Sequence, residues 1–153
     1  MKILSAKQIR TLDAYTIENE PIASLDLMER ASMTFVNWFE KNFPTGDFNI
    51  YIFCGSGNNG GDGLAIARLL YHRSYNIILH SCEIGSKKSV DYVKNLTRLP
   101  KHALDVKPIF KGDPFLQINK DDLVIDAIFG SGLNRPVEGY WSKLILYLSL
   151  IHI

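Results

Sequence analysis

The chain has 153 residues, 46% of them hydrophobic and 22% charged, a balance that fits one globular domain with its own core and excludes a disordered chain. Lysine and arginine total 17 against 16 acidic residues, and the net charge of +1 provides no basic field for nucleic acid or an anionic membrane surface. The longest apolar stretch, Leu144 to Ile153, is shorter than the ~18 residues of a membrane span, and Lys7, Arg10 and Asp13 interrupt any secretory signal, so a cytoplasmic location is expected.

Ser5-Ala6-Lys7-Gln8 has the form of a capping box and predicts a helix running to about Asn19. After Pro21, Ser24 is placed to cap a second helix. Its Met28, Ala31, Phe35, Trp38 and Phe39 make one apolar face, read as core packing, and it ends before Pro44-Thr45-Gly46. Asn49 to Cys54 is short, β-branched and aromatic and stops at a glycine cluster, which predicts a buried strand. A helix over Leu64 to Leu70 and a strand over Asn76 to Cys82 follow. Next come a helix from Ser89 to Leu99 facing inward through Val90, Val93 and Leu96, and a short strand over Val106 to Phe110. A strong strand over Asp122 to Ile128 precedes a last helix from about Val137. This alternation predicts an α/β fold: a Rossmann-like, three-layer α/β/α domain with a mostly parallel sheet, preceded by two N-terminal helices. Cys54 and Cys82 fall inside strands and read as buried thiols, neither a bridge nor a redox pair.

Five of the 11 glycines lie between residues 55 and 63, between a strand and a helix, where glycine lets the backbone turn sharply and a ligand approach closely. Gly55-Ser56-Gly57-Asn58-Asn59-Gly60 satisfies the dinucleotide fingerprint GxGxxG, and Glu83 stands where a ribose-binding acid belongs, so a NAD-dependent Rossmann oxidoreductase is the rival reading. Asp62, expected in the first turn of the following helix, weighs against a pyrophosphate there because two anions would compete for one helix end. No Lys-Ser or Lys-Thr follows the glycines, which excludes a P-loop. The amides of Asn58 and Asn59 suit a hard cation or a phosphate; equally, asparagine and aspartate accept turn geometry and cap helices.

A second constellation follows the fourth strand. Asp126 is succeeded by Gly130-Ser131-Gly132-Leu133-Asn134-Arg135-Pro136. In a doubly wound sheet the fourth strand lies beside the first, so both loops should face one crevice at the topological switch point. A carboxylate there would be partly desolvated and need a partner, which makes Asp126 the best single candidate for a cation ligand.

With both loops in hand, the chain resembles the NAD(P)H-hydrate epimerases, the YjeF N-terminal domain family. The residues that carry the resemblance are Gly57 to Arg68 and Asp126 to Pro136, with Gln8, Asp13 and Met28-Glu29-Arg30-Ala31 similar to the family's opening helices. The resemblance implies an isomerase of metabolite repair that interconverts the R and S epimers of hydrated NADH and NADPH. It implies that Asn58, Asn59, Gly60, Gly61 and Asp62, together with Gly130, Ser131, Gly132, Leu133, Asn134, Arg135 and Pro136, bind the nucleotide substrate. It also implies that Asn59 and Asp126 ligate a potassium ion, K+. No proton-transfer residue is assigned; Asp62 and Asp126 are the carboxylates within reach. A fused or separate NAD(P)H-hydrate dehydratase is the implied partner, and the apolar end from Leu144 suggests a homodimer contact or a missing cover. Family members continue into a strand ending in a Val-Asp-x-Pro-Ser-Gly-like motif. The chain shows none, so residues 1–153 are expected to form a single epimerase-type domain lacking its C-terminal strands. A non-catalytic nucleotide-binding or scaffold module of the same fold is the remaining alternative.

Overall fold

In the computed structural model, which describes residues 4–100, 103–133 and 135–151, the first helix, α1 (Ala6–Asn19), starts on the predicted capping box. Ser5 Oγ accepts from the Gln8 backbone N–H at 3.3 Å, and Gln8 Oε1 accepts from the Ser5 backbone N–H at 2.8 Å. None of its residues is buried.

Helix α2 (Ser24–Asn42) departs from the sequence reading in two respects. Ser24 is the first helical residue and not the cap; its hydroxyl donates to Asp91 Oδ2 at 2.7 Å, and Ala23 takes the cap position. The buried face runs through Met28, Ser32, Val36 and Phe39, while Ala31 and Trp38 are exposed. The period is helical as expected, but the phase is set by polar anchors: Glu29 pairs with Arg68 and Arg98, and Ser24 reaches Asp91. Phe35 stays half-buried against the core beside Phe39, as expected, while the displaced Trp38 packs on Phe35 and Phe43.

Strands β1 (Asn49–Cys54), β2 (Asn76–Cys82), β3 (Val106–Ile109) and β4 (Leu123–Ala127) form one parallel sheet in the order β3-β2-β1-β4. Cys54 at the end of β1 lies between Ser81 of β2 and Ala127 of β4, so the strand order reverses at β1. Asp122 ties the start of the sheet together, accepting from the Asn49 backbone N–H at 2.8 Å and from Asn119 Nδ2 at 3.2 Å.

The connecting helices are α3 (Asn58–Tyr71), α4 (Val90–Arg98) and α5 (Gly139–Leu150). One sheet face buries Ile50, Ile52 and Cys54 against Leu64 and Leu70 of α3, Val36 and Phe39 of α2 and Tyr92 of α4. The other buries Phe53 and Cys82 against Leu144 and Leu148 of α5. Each such large apolar side chain contributes about 1.5–3 kcal/mol on burial. Helix α4 keeps Leu96 packed against the core as expected but otherwise turns a different face inward: Asp91, Tyr92 and Asn95 are buried, Val90 and Val93 exposed. Hydrogen bonding explains the inversion, since Asp91 accepts from Ser24 and Asn95 Nδ2 lies 3.1 Å from Met28 Sδ.

Cys54 and Cys82 are free and buried, and burial pushes both thiols up, Cys82 to about 12, so both stay protonated and inert. No helix among the described residues is long and apolar enough to cross a membrane.

Candidate functional site

The glycine-rich segment brings three backbones into contact. A Cβ on Gly60 would stand 1.7 Å from the Gly55 carbonyl oxygen, and a Cβ on Gly55 would stand 1.9 Å from that of Ile128. The Gly55 N–H also donates to Ala127 O at 3.0 Å. Close approach therefore demands glycine at both positions, and it seats the start of α3 directly on the segment leaving β4.

Helix α3 begins at Asn58, earlier than expected, so the asparagines and glycines are its first turns. Gly57 takes the cap position without a side chain, and Gly61 N–H bonds Gly57 O at 3.0 Å. The preceding N–H groups of Asn58, Asn59 and Gly60 have no intrahelical acceptor and form an anion-binding end. Asp62 stands in the second turn, and the first turn holds no acidic residue. The expected competition between Asp62 and a phosphate at the helix end does not arise, because the helix starts one turn earlier than the sequence pattern indicates.

A cavity of 610 Å³ opens over this end. Asn58, Asn59 and Asp62 line it from α3, and Gly130, Ser131, Gly132, Leu133 and Arg135 line it from the loop after β4. The two predicted loops thus share one crevice at the switch point, as the strand order requires. Asn59 joins them: its Nδ2 donates to Phe129 O at 3.0 Å, and a Cβ on Gly130 would lie 2.9 Å from Asn59 Cβ. Gly60 and Gly61 are buried beneath the cavity and Pro136 lines an adjoining one. Asn134 falls outside the described residues.

Asp126 is placed differently from the expectation of a partly desolvated carboxylate facing the crevice. It is exposed on β4, an edge strand among the described residues, its Oδ1 accepts from the Ile128 N–H at 2.9 Å, and it does not line the cavity. Among the described residues, no hydrogen bond engages Asn59 Oδ1 or Asp126 Oδ2, and no group of three or more histidine, cysteine or acidic side chains forms a metal cluster. Glu83 is engaged elsewhere, accepting from Ser81 Oγ at 2.9 Å and from Lys88 Nζ at 3.3 Å, and it does not line the cavity either.

Asp62 is the carboxylate that the cavity perturbs. Burial, then the negative charges of Asp13 and Asp91, push its carboxyl up to about 6. Asp13 belongs to a wall that sequence reasoning did not assign to the site: Ile9, Arg10 and Asp13 of α1 line the same cavity. A helix remote in sequence from both loops carries no local signal for that role.

Comparison with known proteins bears on this arrangement. The family model described as "YjeF-related protein N-terminus" matches residues 24–150. The chain belongs to the YjeF N-terminal family. Among curated YjeF N-terminal relatives, the chain is 37% identical over 150 residues to a protein of Limosilactobacillus fermentum named NAD(P)H-hydrate epimerase, covering 97% of this chain and 69% of that one. A protein of the same name from Limosilactobacillus reuteri is 34% identical, with 94% of this chain and 66% of the relative covered. A Dictyoglomus turgidum protein named bifunctional NAD(P)H-hydrate repair enzyme Nnr is 30% identical, with 97% of this chain matched to 29% of it. The crystal structure of the yeast protein ynu0 superposes with a TM-score of 0.82 at 23% identity, covering 99% of this chain and 66% of that one, which shows the shared fold. The chain therefore spans about two thirds of the length of its epimerase-named relatives.

Proposed function

We propose that this chain carries the epimerase chemistry of its relatives, interconverting the R and S hydrates of NADH and NADPH in the cavity between α3 and the loop after β4. The observation that carries the reading is the convergence of an open helix N-terminus, two asparagine amides and one carboxyl near neutrality in a single cavity. The N–H groups of Asn58, Asn59 and Gly60 suit a substrate phosphate, with Arg135 supplying positive charge from the facing loop.

The substrate hydroxyl sits on the carbon next to the ring nitrogen and is a hemiaminal. Protonation lets it leave as water, the nitrogen lone pair forms an iminium, and water returns to either face with loss of a proton. No electron is transferred to or from the substrate in that sequence. Asp62 is the group suited to give and take the proton, because a carboxyl near 6 populates both forms close to neutral pH. A potassium ion would be held by the hard, neutral amide oxygen of Asn59, whereas Asp126 lies outside the cavity that Asn59 lines and is the weaker of the two ligands implied by the resemblance. Such an ion would supply positive charge to the substrate-binding end of the cavity.

The S hydrate would pass to a dehydratase, a pairing in keeping with the bifunctional name of the Dictyoglomus relative. A homodimer is proposed on the exposed apolar positions Leu12 and Tyr15 of α1 and Leu146 and Leu150 of α5, and a cytoplasmic location on the sequence. The test supplies a mixture of R and S hydrates to an S-specific dehydratase. Complete consumption when the chain is added supports the proposal, and a residue of R hydrate equal to that without the chain refutes it.

A further inference from the structure

The main cavity does not end at the loop after β4. A second cavity of 340 Å³ adjoins it, and Ile84, Phe129, Leu133 and Arg135 line both. The far wall of the second cavity has a different chemistry. Trp141 from the first turn of α5 lines it with Pro136 and Glu138, whose side chain makes no hydrogen bond to the helix it caps. Trp141 is half-buried, packed on one side against the core cluster of Phe53, Leu144 and Leu148 and in edge-on contact with Tyr140 at 5.0 Å between ring centroids. An aromatic indole fixed at the rim of an open slot, flanked by apolar side chains and one acceptor, is a stacking platform for a flat heterocycle bearing an amino donor.

From this geometry we infer that the second cavity is a purine slot: Trp141 stacks the adenine of the dinucleotide, Glu138 accepts from its exocyclic amino group, and Arg135 stands between the two cavities where the pyrophosphate crosses. The inference rests on the epimerase reading for the identity of the dinucleotide, and it assigns Trp141, Glu138 and Ile84 to substrate recognition. A dinucleotide has two ring systems joined by a pyrophosphate, and the two cavities joined at a cationic residue match that division. Among the described lining side chains, the Glu138 carboxylate suits adenine's exocyclic amino group and repels the carbonyl oxygen that replaces that group in hypoxanthine.

The chain has two tryptophans, Trp38 and Trp141. Trp38 is exposed on α2, away from both cavities, so a Trp38→Phe variant isolates Trp141 fluorescence in an unaltered slot. AMP is expected to quench that emission saturably, and IMP to require a higher concentration. In separate calorimetric titrations, Trp141→Ala is expected to weaken AMP binding about ten-fold or more and to leave nicotinamide mononucleotide binding unchanged, with Trp141→Phe restoring AMP binding. Absence of quenching by AMP, or equal weakening of both mononucleotides, overturns the slot. Saturable quenching in a protein that leaves R-NADH hydrate untouched keeps the slot and removes the epimerase reading. Epimerase activity without AMP quenching removes the slot alone.

Discussion

Replacing Asp62 with asparagine separates what the cavity costs the fold from what it gives the chemistry. Asp62 is lifted from an ordinary 3.8 to about 6 by burial and by Asp13 and Asp91. A shift of that size is worth about 3 kcal/mol of differential stability at full weight, and water reaching the open cavity reduces it to about 1–2 kcal/mol. The sign follows from the direction of the shift. With the folded value above the unfolded one, the penalty is absent below 3.8, grows as pH rises from 3.8 to 6, and is fully present above 6. Asp62→Asn removes the charge and keeps the shape, so it should raise the Tm at pH 8 by about 3–6 °C in a chain of this length. The gain should vanish at pH 3.5. Thermal melts monitored by circular dichroism across this pH range measure both. The same variant should lose epimerase activity about a hundred-fold or more if Asp62 moves the proton. A variant that melts at or below the parent at pH 8, or that gains equally at pH 3.5, would refute the reasoning about its environment.

Gly130→Ala places a methyl 2.9 Å from Asn59 Cβ and 3.3 Å from its Cγ, so it should displace that amide and raise the KM for hydrate about ten-fold; steady-state kinetics with an S-specific dehydratase in excess read it. Gly60→Ala sets a Cβ 1.7 Å from Gly55 O and should prevent the turn from closing, with a loss of more than about 3 kcal/mol in urea denaturation. Glu29→Ala leaves Arg68 and Arg98 without their shared carboxylate between α2 and its neighbours and should cost about 1–3 kcal/mol in the same assay. Burial works to raise the Asp122 carboxyl, but hydrogen bonds from Asn49 and Asn119 outweigh it and hold the group below its ordinary value. Its contribution is present above the unfolded pKa and lost as pH falls through the folded one, so Asp122→Asn should destabilise at pH 7 and cease to matter in strong acid.

The strands were legible in the sequence nearly to the residue. Asn49–Cys54 and Asn76–Cys82 each open on an asparagine and end before a glycine or a glutamate, and because both faces of a parallel strand are covered, burial favours the apolar stretches Ile50 to Cys54 and Ile77 to Leu79. Helix phase was not legible. Spacing alone cannot reveal that Ser24 bonds Asp91, that Glu29 holds two arginines, or that Asn95 meets Met28, and these polar contacts turn α2 and α4 away from their most apolar faces. The meeting of the two loops followed from strand order, because β4 pairs with β1 on the side opposite β2. Which side chains enter the crevice did not follow. Asp126 lies on an edge strand outside the cavity lining, and Asp13 enters from a helix about 50 residues earlier in the chain than Asp62.

The most direct measurement of the central claim starts from chromatographically pure R-NADH hydrate, with no dehydratase present. Incubation with the chain should produce the S epimer faster than the spontaneous rate until the two reach equilibrium, and Asp62→Asn should fall back toward the spontaneous rate. An R hydrate that persists with the folded chain as it does in buffer would contradict the proposal.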